Sequence, residues 1–525
     1  PPRSTLFPYT TLFRSFMNML KQEENAKYRQ TIKNVLEFNP EILKRFVNFM
    51  NNPDEKTAVE QFGAQGKYFG ACVLLSTMPG LPMFGHGQIE GFHEKYGMEY
   101  RKAYWNESVD QGLVRGHELW IFPLLKRRRL FSGSENFALY DFYCHDGSVD
   151  ENVFAYSNRL GEQRALVLYN NRYGATSGWI KMATPVALKG SGDTTEFYTG
   201  SLGQALAVPD DPRCFLAFRE ISTQHEYLRN AAEICQRGMY AELSEYEFHV
   251  FLDFRILEDT PDTPWAALCG HLAGRGVASL EAEQIQLLNQ PLIGAFAECL
   301  QLLQQSDLLD RALQNYCAEL PPVAASEIDR QGLMVSLASA HQPDVAAKTL
   351  RLLRRSGVSR KMLALDQKNR RQALAILLTR MLALSVRDDA LQYYGLCRPL
   401  AGFVSGGNSQ DHHAEVWMSQ LYSAVGLGCS IWLTEAAPDR LAQLFDNQLI
   451  SSFLLVHDDG GTLWFNKERF EELLAWLALQ VAFESAQDEQ VHLVPVVELE
   501  ALAAAAGYRV RTFLKLAAGL QEGEA

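Results

Sequence analysis

The apolar positions of this chain change their period twice. From residue 16 to about 133, helical spacing alternates with short apolar runs. From 134 to 260, apolar and polar residues alternate with period two, and from 261 to 525 Leu- and Ala-rich stretches of helical period dominate. In the first region, residues 27–36 predict a helix with Tyr28, Ile32 and Val35 near one face. Asn39-Pro40 ends it, because the residue before a proline avoids the helical well. The run 46–49 predicts a short buried strand. Asn52-Pro53-Asp54-Glu55 then predicts a helix start, with Asn52 as N-cap, Pro53 at the first helical position and Glu55 completing a capping box. A second helix over 67–77 stops at Pro79-Gly80, a strand over 81–84 follows, and Gly85-His86-Gly87 turns away from its end. A polar loop carrying aromatic residues runs to about Gly116. Residues 119–130 predict a further helix with Pro123 in its first turn or at a kink. Strands separated by helices, with polar loops after the strands, favour a parallel sheet.

In the second region, residues 153–157 and 165–170 alternate around the turn Arg159-Leu160-Gly161-Glu162 and predict a hairpin. Strands over 196–199, 215–218 and 248–254, with one inserted helix over 224–237, complete a small antiparallel β-sandwich. In the third region the clearest helix is 467–482. Asn466 caps it, and Phe470, Leu473, Leu474 and Leu477 recur at the spacing of one buried face. Helices of this kind pack against one another in a mostly α-helical domain.

The net charge of −13 speaks against nucleic acid and anionic membranes as partners, since both need clustered Lys and Arg. The one basic run, Lys126-Arg127-Arg128-Arg129, reads as a solvated helix face. No apolar run is long enough to span a bilayer. The nine cysteines are scattered, odd in number and without a CxxC pair, which suits free thiols in a reducing, cytoplasmic setting rather than a disulfide framework. Asp411-His412-His413 has metal-ligating residue types but lacks a third and fourth ligand at suitable spacing, so no metal or other cofactor is evident. The stretch 5–15, TLFPYTTLFRS, reads as the translation of a sequencing-adapter oligonucleotide. On that reading residues 1–15 are an artefact, the biological chain begins near Phe16, and it is a truncated, metagenomic-type fragment whose native N-terminus, with any signal peptide, is missing.

The segments FVNFMNNPDEKTA and STMPGLPMFGHGQIEG, separated by a helix, resemble the end of the catalytic barrel in glycoside hydrolase family 13, the α-amylase family. IFPLLKRRRLFSG resembles that family's last barrel helix, and NVFAYSNRLGEQRALVLYNN its C-terminal β-domain. The resemblance covers about residues 16–260 and preserves the family's order of elements. It implies a multidomain α/β, β and α chain: residues 16–133 as strands 7–8 of a (β/α)8 TIM barrel, 134–260 as the β-sandwich, and 261–525 as a helical domain with no family-level role attached.

The same resemblance implies an α-glucan or oligosaccharide substrate and retaining hydrolysis or glucosyl transfer in the full-length protein. It makes Asp54 the carboxylate that stabilises the oxocarbenium-like transition state, a charge best met by an ionised group. Asn52 belongs to the same motif. Pro53 stands where the family has a substrate-binding His, so that contact is lost or supplied elsewhere. His86 is either its replacement or a loop histidine, and Glu90 is displaced by one residue from the family's acid after strand 8. Tyr104 and Trp105 either stack on sugar faces or pack beneath their loop. The nucleophile and general acid of a retaining enzyme come from earlier strands, as do most ligands of the calcium ion common in the family. This chain alone is therefore expected to be inactive, with an open, aggregation-prone barrel edge. The rival reading is a non-catalytic glucan-binding or regulatory protein with a degenerate barrel.

Overall fold

The computed structural model describes residues 9–95, 101–188, 196–303, 306–340, 348–349, 351–353, 355, 367–405, 412–434, 437–484 and 493–521. The chain divides into two compact units, Pro1–Gln284 and Ile285–Ala525.

The first unit begins with helices α1 (Tyr9–Gln22) and α2 (Asn25–Phe38), strand β1 (Val47–Phe49), helices α3 (Ala58–Phe62) and α4 (Gly66–Thr77), and strand β2 (Leu81–Met83). The two strands pair in parallel, with Val47 opposite Leu81 and Phe49 opposite Met83. A crossover through a helix is what a parallel pair requires. Next come α5 (Gln111–Gly116), a π-helical turn at His117–Ile121, α6 (Phe122–Lys126) and α7 (Arg128–Phe131). This region was expected as a loop to Gly116 followed by one helix. The helix instead starts eight residues earlier, because the Asp110 carboxylate accepts the Leu113 N–H at 3.0 Å as its cap. Pro123 lies just past the π turn, in the first turn of α6, where the missing N–H costs least.

Strands β3 (Ala138–Cys144), β4 (Val153–Leu160), β5 (Gln163–Asn170) and β6 (Thr176–Ala183) follow, then the hairpin β7 (Val186–Leu188) and β8 (Glu196–Tyr198) and the short helix α8 (Leu202–Ala205). The unit closes with β9 (Cys214–Glu220), β10 (Glu226–Asn230), α9 (Ala231–Arg237), β11 (Met239–Leu243), β12 (Phe248–Glu258) and α10 (Trp265–Leu272). Two expectations change here. Residues 224–237 are a strand and then a helix, since Leu228 points into the core while Asn230 caps α9 through the Glu233 N–H at 3.2 Å. The expected sandwich is one continuous antiparallel sheet of eight strands, ordered β10-β9-β12-β5-β4-β3-β6-β11. β12 pairs with β5 over its first half and with β9 over its second. The register shift between Leu252 and Arg255, with Asp253 at φ +54°, lets one strand serve both neighbours.

Both faces of the central strands are covered. Phe154, Tyr156, Val167 and Tyr169 face a core built from α1, α2, β1, α4 and α7, while Val153, Ala155, Leu166 and Leu168 face a second core closed by α8 and α9. The division expected at 133/134 thus falls inside one shared core. Gly70 on α4 is where helix and sheet approach most closely: a Cβ there would lie 1.9 Å from the Tyr169 ring. Gly70→Ala is expected to cost roughly 1–3 kcal/mol through overpacking, read as a lower urea midpoint with an unchanged slope. Basic residues also serve this packing. Arg128, expected on a solvated face, instead donates to the Ser76 and Met78 carbonyls at 2.7 and 2.9 Å and also to that of Gly80, closing the end of α4.

Among the described residues the second unit's regular structure is helical apart from a hairpin pairing His457–Asp459 with Thr462–Trp464. Its core includes Phe296, Tyr316, Leu374, Leu421, Leu474 and Phe513. The predicted helix is present as Lys467–Glu484, capped by Asn466 through the Arg469 N–H at 3.0 Å, with Phe470, Leu473, Leu474 and Leu477 buried. Among the described residues no helix is long and apolar enough to cross a membrane. The nine cysteines are free thiols.

Candidate functional site

The C-terminal ends of β1 and β2 lie side by side, so the turns that follow them are neighbours. After β1, Met50 and Asn51 are buried and the chain reaches Asn52, whose Oδ1 accepts the N–H groups of Asp54 and Glu55 at 2.9 and 3.0 Å. This closes a turn rather than a helix. The helix expected at 52–55 begins instead at Ala58, capped by Thr57. Asn-Pro-Asp-Glu carries the local chemistry of both arrangements, and here the turn prevails. Asp54 is therefore exposed on a loop, outside any helix first turn, and its carbonyl accepts from Lys95 Nζ at 3.0 Å.

After β2, Gly85 sits against Asn51: a Cβ at Gly85 would lie 2.4 Å from both amide atoms of Asn51. Only glycine lets the two strand ends meet this closely. Asn51 Oδ1 is buried and accepts no hydrogen bond among the described residues. The Gln88 side chain ties the second turn together. Its Oε1 accepts the Gly85 N–H at 3.1 Å, and its Nε2 points at Met50 Sδ at 3.4 Å.

Behind Gln88 lies a buried relay. Tyr68 Oη donates to the Gln88 carbonyl at 2.7 Å and lies 2.9 Å from His117 Nε2. Tyr68 has one proton and gives it to Gln88, so His117 Nε2 must carry the hydrogen and Nδ1 must be bare. Nδ1 is indeed buried without a partner among the described residues. The rings of Tyr68, Phe69, Phe84 and Phe122 surround this imidazole. Burial lowers its pKa to about 4. His117 is expected to stay neutral, as the Nε2–H tautomer, from pH 5 to 8; ring ¹⁵N shifts that move across that range would contradict this.

His86 is exposed, with its ring 6.3 Å from that of Phe92, and the Glu90 carbonyl accepts the Asp110 N–H at 2.9 Å. Tyr104 and Trp105 are 68% and 61% exposed, on a loop held from beneath. Glu94 accepts the N–H groups of Tyr104 and Trp105, and Glu107 those of His93 and Glu94. Both side chains are thus largely exposed on that loop. The structure thus brings the Asn52–Asp54 turn beside the Gly85–Gln88 turn, with Lys95 reaching the first. Sequence reasoning passed over Asn51, Tyr68, Gln88, Lys95 and His117. The pairing of β1 with β2 is the signal that leads to Asn51 and Gln88. Among the described residues no group of three or more His, Cys, Asp or Glu is arranged to hold a metal ion. The side chains of Asp411, His412 and His413 lie outside the described residues.

No protein-family profile matches the chain, and no curated protein sequence does. Parts of it are similar to solved structures. An α-amylase from Geobacillus thermoleovorans, complexed with acarbose, is 14% identical over 41% of this chain and 40% of its own, with a TM-score of 0.25. The cyclomaltodextrin glucanotransferase CldA is 13% identical over 46% and 43%, with a TM-score of 0.30. A debranching enzyme from Nostoc punctiforme, soaked with acarbose, is 14% identical over 43% and 38%, with a TM-score of 0.28. The chain spans about two-fifths of the length of each.

Proposed function

We propose that this chain is the C-terminal part of an α-glucan-acting glycoside hydrolase or transglycosylase of the α-amylase type. The observation that carries the reading is the parallel, in-register pairing of β1 with β2. It sets the Asn52-Pro53-Asp54 turn and the Gly85-His86-Gly87 turn at the same end of one sheet, the end where barrel enzymes assemble their chemistry. In the whole protein Asp54 stabilises the positive charge that develops at the anomeric carbon, and Trp105 and Tyr104 offer flat faces to glucosyl rings. His86 and Glu90 line the loop after β2. The nucleophile and general acid come from strands upstream of Phe16, and the 525-residue chain alone does not hydrolyse glucan. Any calcium ion is held by upstream residues. The scattered thiols favour a reducing, cytoplasmic setting.

Pro53 favours a second reading, a glucan-binding protein without catalysis, because proline removes the family's imidazole contact. Amplifying the coding DNA outward from the codons for residues 52–91 separates the two. An upstream strand bearing Asp and another bearing Glu, at the retaining spacing, support the enzyme. An extension lacking either acid, or a genomic sequence that contains TLFPYTTLFRS, overturns the enzyme and fragment readings in favour of the binding protein.

A further inference from the structure

Three strands at one edge of the eight-stranded sheet carry an aromatic row. β3, β6 and β11 are neighbours there. Tyr143 pairs with Trp179, which pairs in turn with Tyr240. Residues directly opposite in an antiparallel ladder share a face. One position along, Phe142, Ile180 and Met239 form the equivalent row on the other face and lie in the core closed by α8 and α9. The aromatic row therefore faces away from that core. Tyr143 is 36% exposed, and Trp179 and Tyr240 are half-buried. Single exposed rings are ordinary, but a contiguous row marks a contact surface. With about 4.8 Å between strands, this one is about 10 Å long, more than one pyranose ring.

The groups around the row select its ligand. Tyr240 Oη donates to Glu242 at 3.0 Å and lies 3.4 Å from His145 Nε2. Glu242 stands two residues along from Tyr240 and Lys181 two along from Trp179, both exposed, so one carboxylate offsets one ammonium. Asp146 is occupied by Ser148, whose N–H and hydroxyl it accepts at 2.9 and 2.6 Å. In a chain of net charge −13 the row is thus flanked by no cluster of either sign, and its charge matches neither a polyanion nor a polycation. A neutral ligand with apolar faces and hydroxyl groups fits it: the aromatic side chains meet the faces, and Glu242 and His145 meet the hydroxyls.

We propose that the row Tyr143, Trp179, Tyr240 binds a neutral oligosaccharide, an α-glucan. The choice of α-glucan rests on the function proposed above, whereas the row as a sugar site does not. Calorimetric titration of the full chain with maltoheptaose and cellohexaose tests it. Maltoheptaose is expected to bind more tightly than cellohexaose, with Trp179→Ala weakening it about tenfold and Tyr143→Ala about threefold. The more exposed Tyr143 decides the matter where the Trp179 variant does not fold. Unchanged affinity in the folded variants, or no binding of either sugar, would overturn the row, while the enzyme reading is decided separately by the upstream acids. Binding lost in Trp105→Ala but kept in Trp179→Ala would place the glucan at the β1/β2 ends and overturn the row alone. Tighter binding of cellohexaose, lost in Trp179→Ala, would overturn the α-glucan choice and count against the reading on which it rests. A dimer in sedimentation that Trp179→Ala dissociates would show that a second copy covers the row, and would overturn the sugar site.

Discussion

Arg29→Ala is expected to lower the stability of the first unit by about 3–5 kcal/mol, the largest loss from any single side chain outside the apolar core. Arg29 has no exposed surface, yet it sits on α2, and its guanidinium reaches across to the sheet. It donates to the Tyr140 carbonyl at 3.2 Å, to the Val153 carbonyl at 2.5 Å, to Glu151 at 2.7 Å and to Asp141. The four acceptors suffer differently when it is removed. Glu151 is half exposed and recovers water, and Asp141 keeps Lys33 at 2.8 Å. The two carbonyls have no such recourse, and a void opens where the side chain lay. Arg29→Lys retains the charge but not the fork, and one ammonium cannot reach four acceptors on two strands. It should fall between the wild type and the alanine variant. Urea unfolding of the three proteins checks this, and an alanine variant within about 1 kcal/mol of wild type would show that α2 is held by its apolar face alone.

The same residue shows where sequence reading ends. The apolar face of α2 was legible, because Tyr28 and Ile32 recur at helical spacing and are buried. Arg29 reads as the solvated side of that helix. Its partners lie more than 100 residues away, and no local period announces them. The β4–β5 hairpin was legible for the opposite reason: its strands are joined by only two residues, Gly161 and Glu162, and Gly161 at φ +58° turns the chain between them. The β1 and β2 strands were legible as short apolar runs separated by a helix, which favours parallel pairing, but their register was not, since three-residue strands carry too little pattern of their own. The single sheet was not, because β12 chooses its neighbours through a bulge that composition does not mark. In the candidate site the motif pointed to Asn52 and Asp54, which lie on the turn after β1. Asn51, one position earlier, took its meaning from contact with Gly85 on another strand.

Glu220 is expected to make the first unit's stability depend on pH at both ends of the range. It ends β9 with its carboxylate wholly buried, accepting the Ser222 N–H at 3.0 Å and Oγ at 2.7 Å, and the Thr223 N–H at 2.7 Å and Oγ1 at 2.8 Å. The His249 ring on β12 stands 3.8 Å from it, a charge contact rather than a hydrogen bond, and Glu247 lies at 3.8 Å on the ring's other side. Burial alone would raise the Glu220 pKa, but His249, Ser222 and Thr223 outweigh it and bring it from an ordinary 4.5 to about 2. Burial likewise opposes charge on His249, and the proximity of Glu220 and Glu247 overcomes it, so the imidazole titrates above its usual 6.5. The signs are opposite. A depressed carboxylate contributes fully above the unfolded pKa, and that contribution is lost as pH falls from about 4.5 towards 2, a span on the order of 3 kcal/mol. A raised histidine contributes fully below about 6.5 and loses its part as pH rises through its folded value. The pair therefore supports the unit best between about pH 4.5 and 6.5. Glu220→Gln keeps the shape but removes the charge. It should flatten the acid limb and return His249 towards or below its ordinary value, because desolvation is then unopposed on that side. Stability measured from pH 3 to 8 for both proteins, with the His249 ring followed by NMR, decides the matter: parallel profiles would mean that the carboxylate acts only as a hydrogen-bond acceptor and not as the charge that holds β9 to β12.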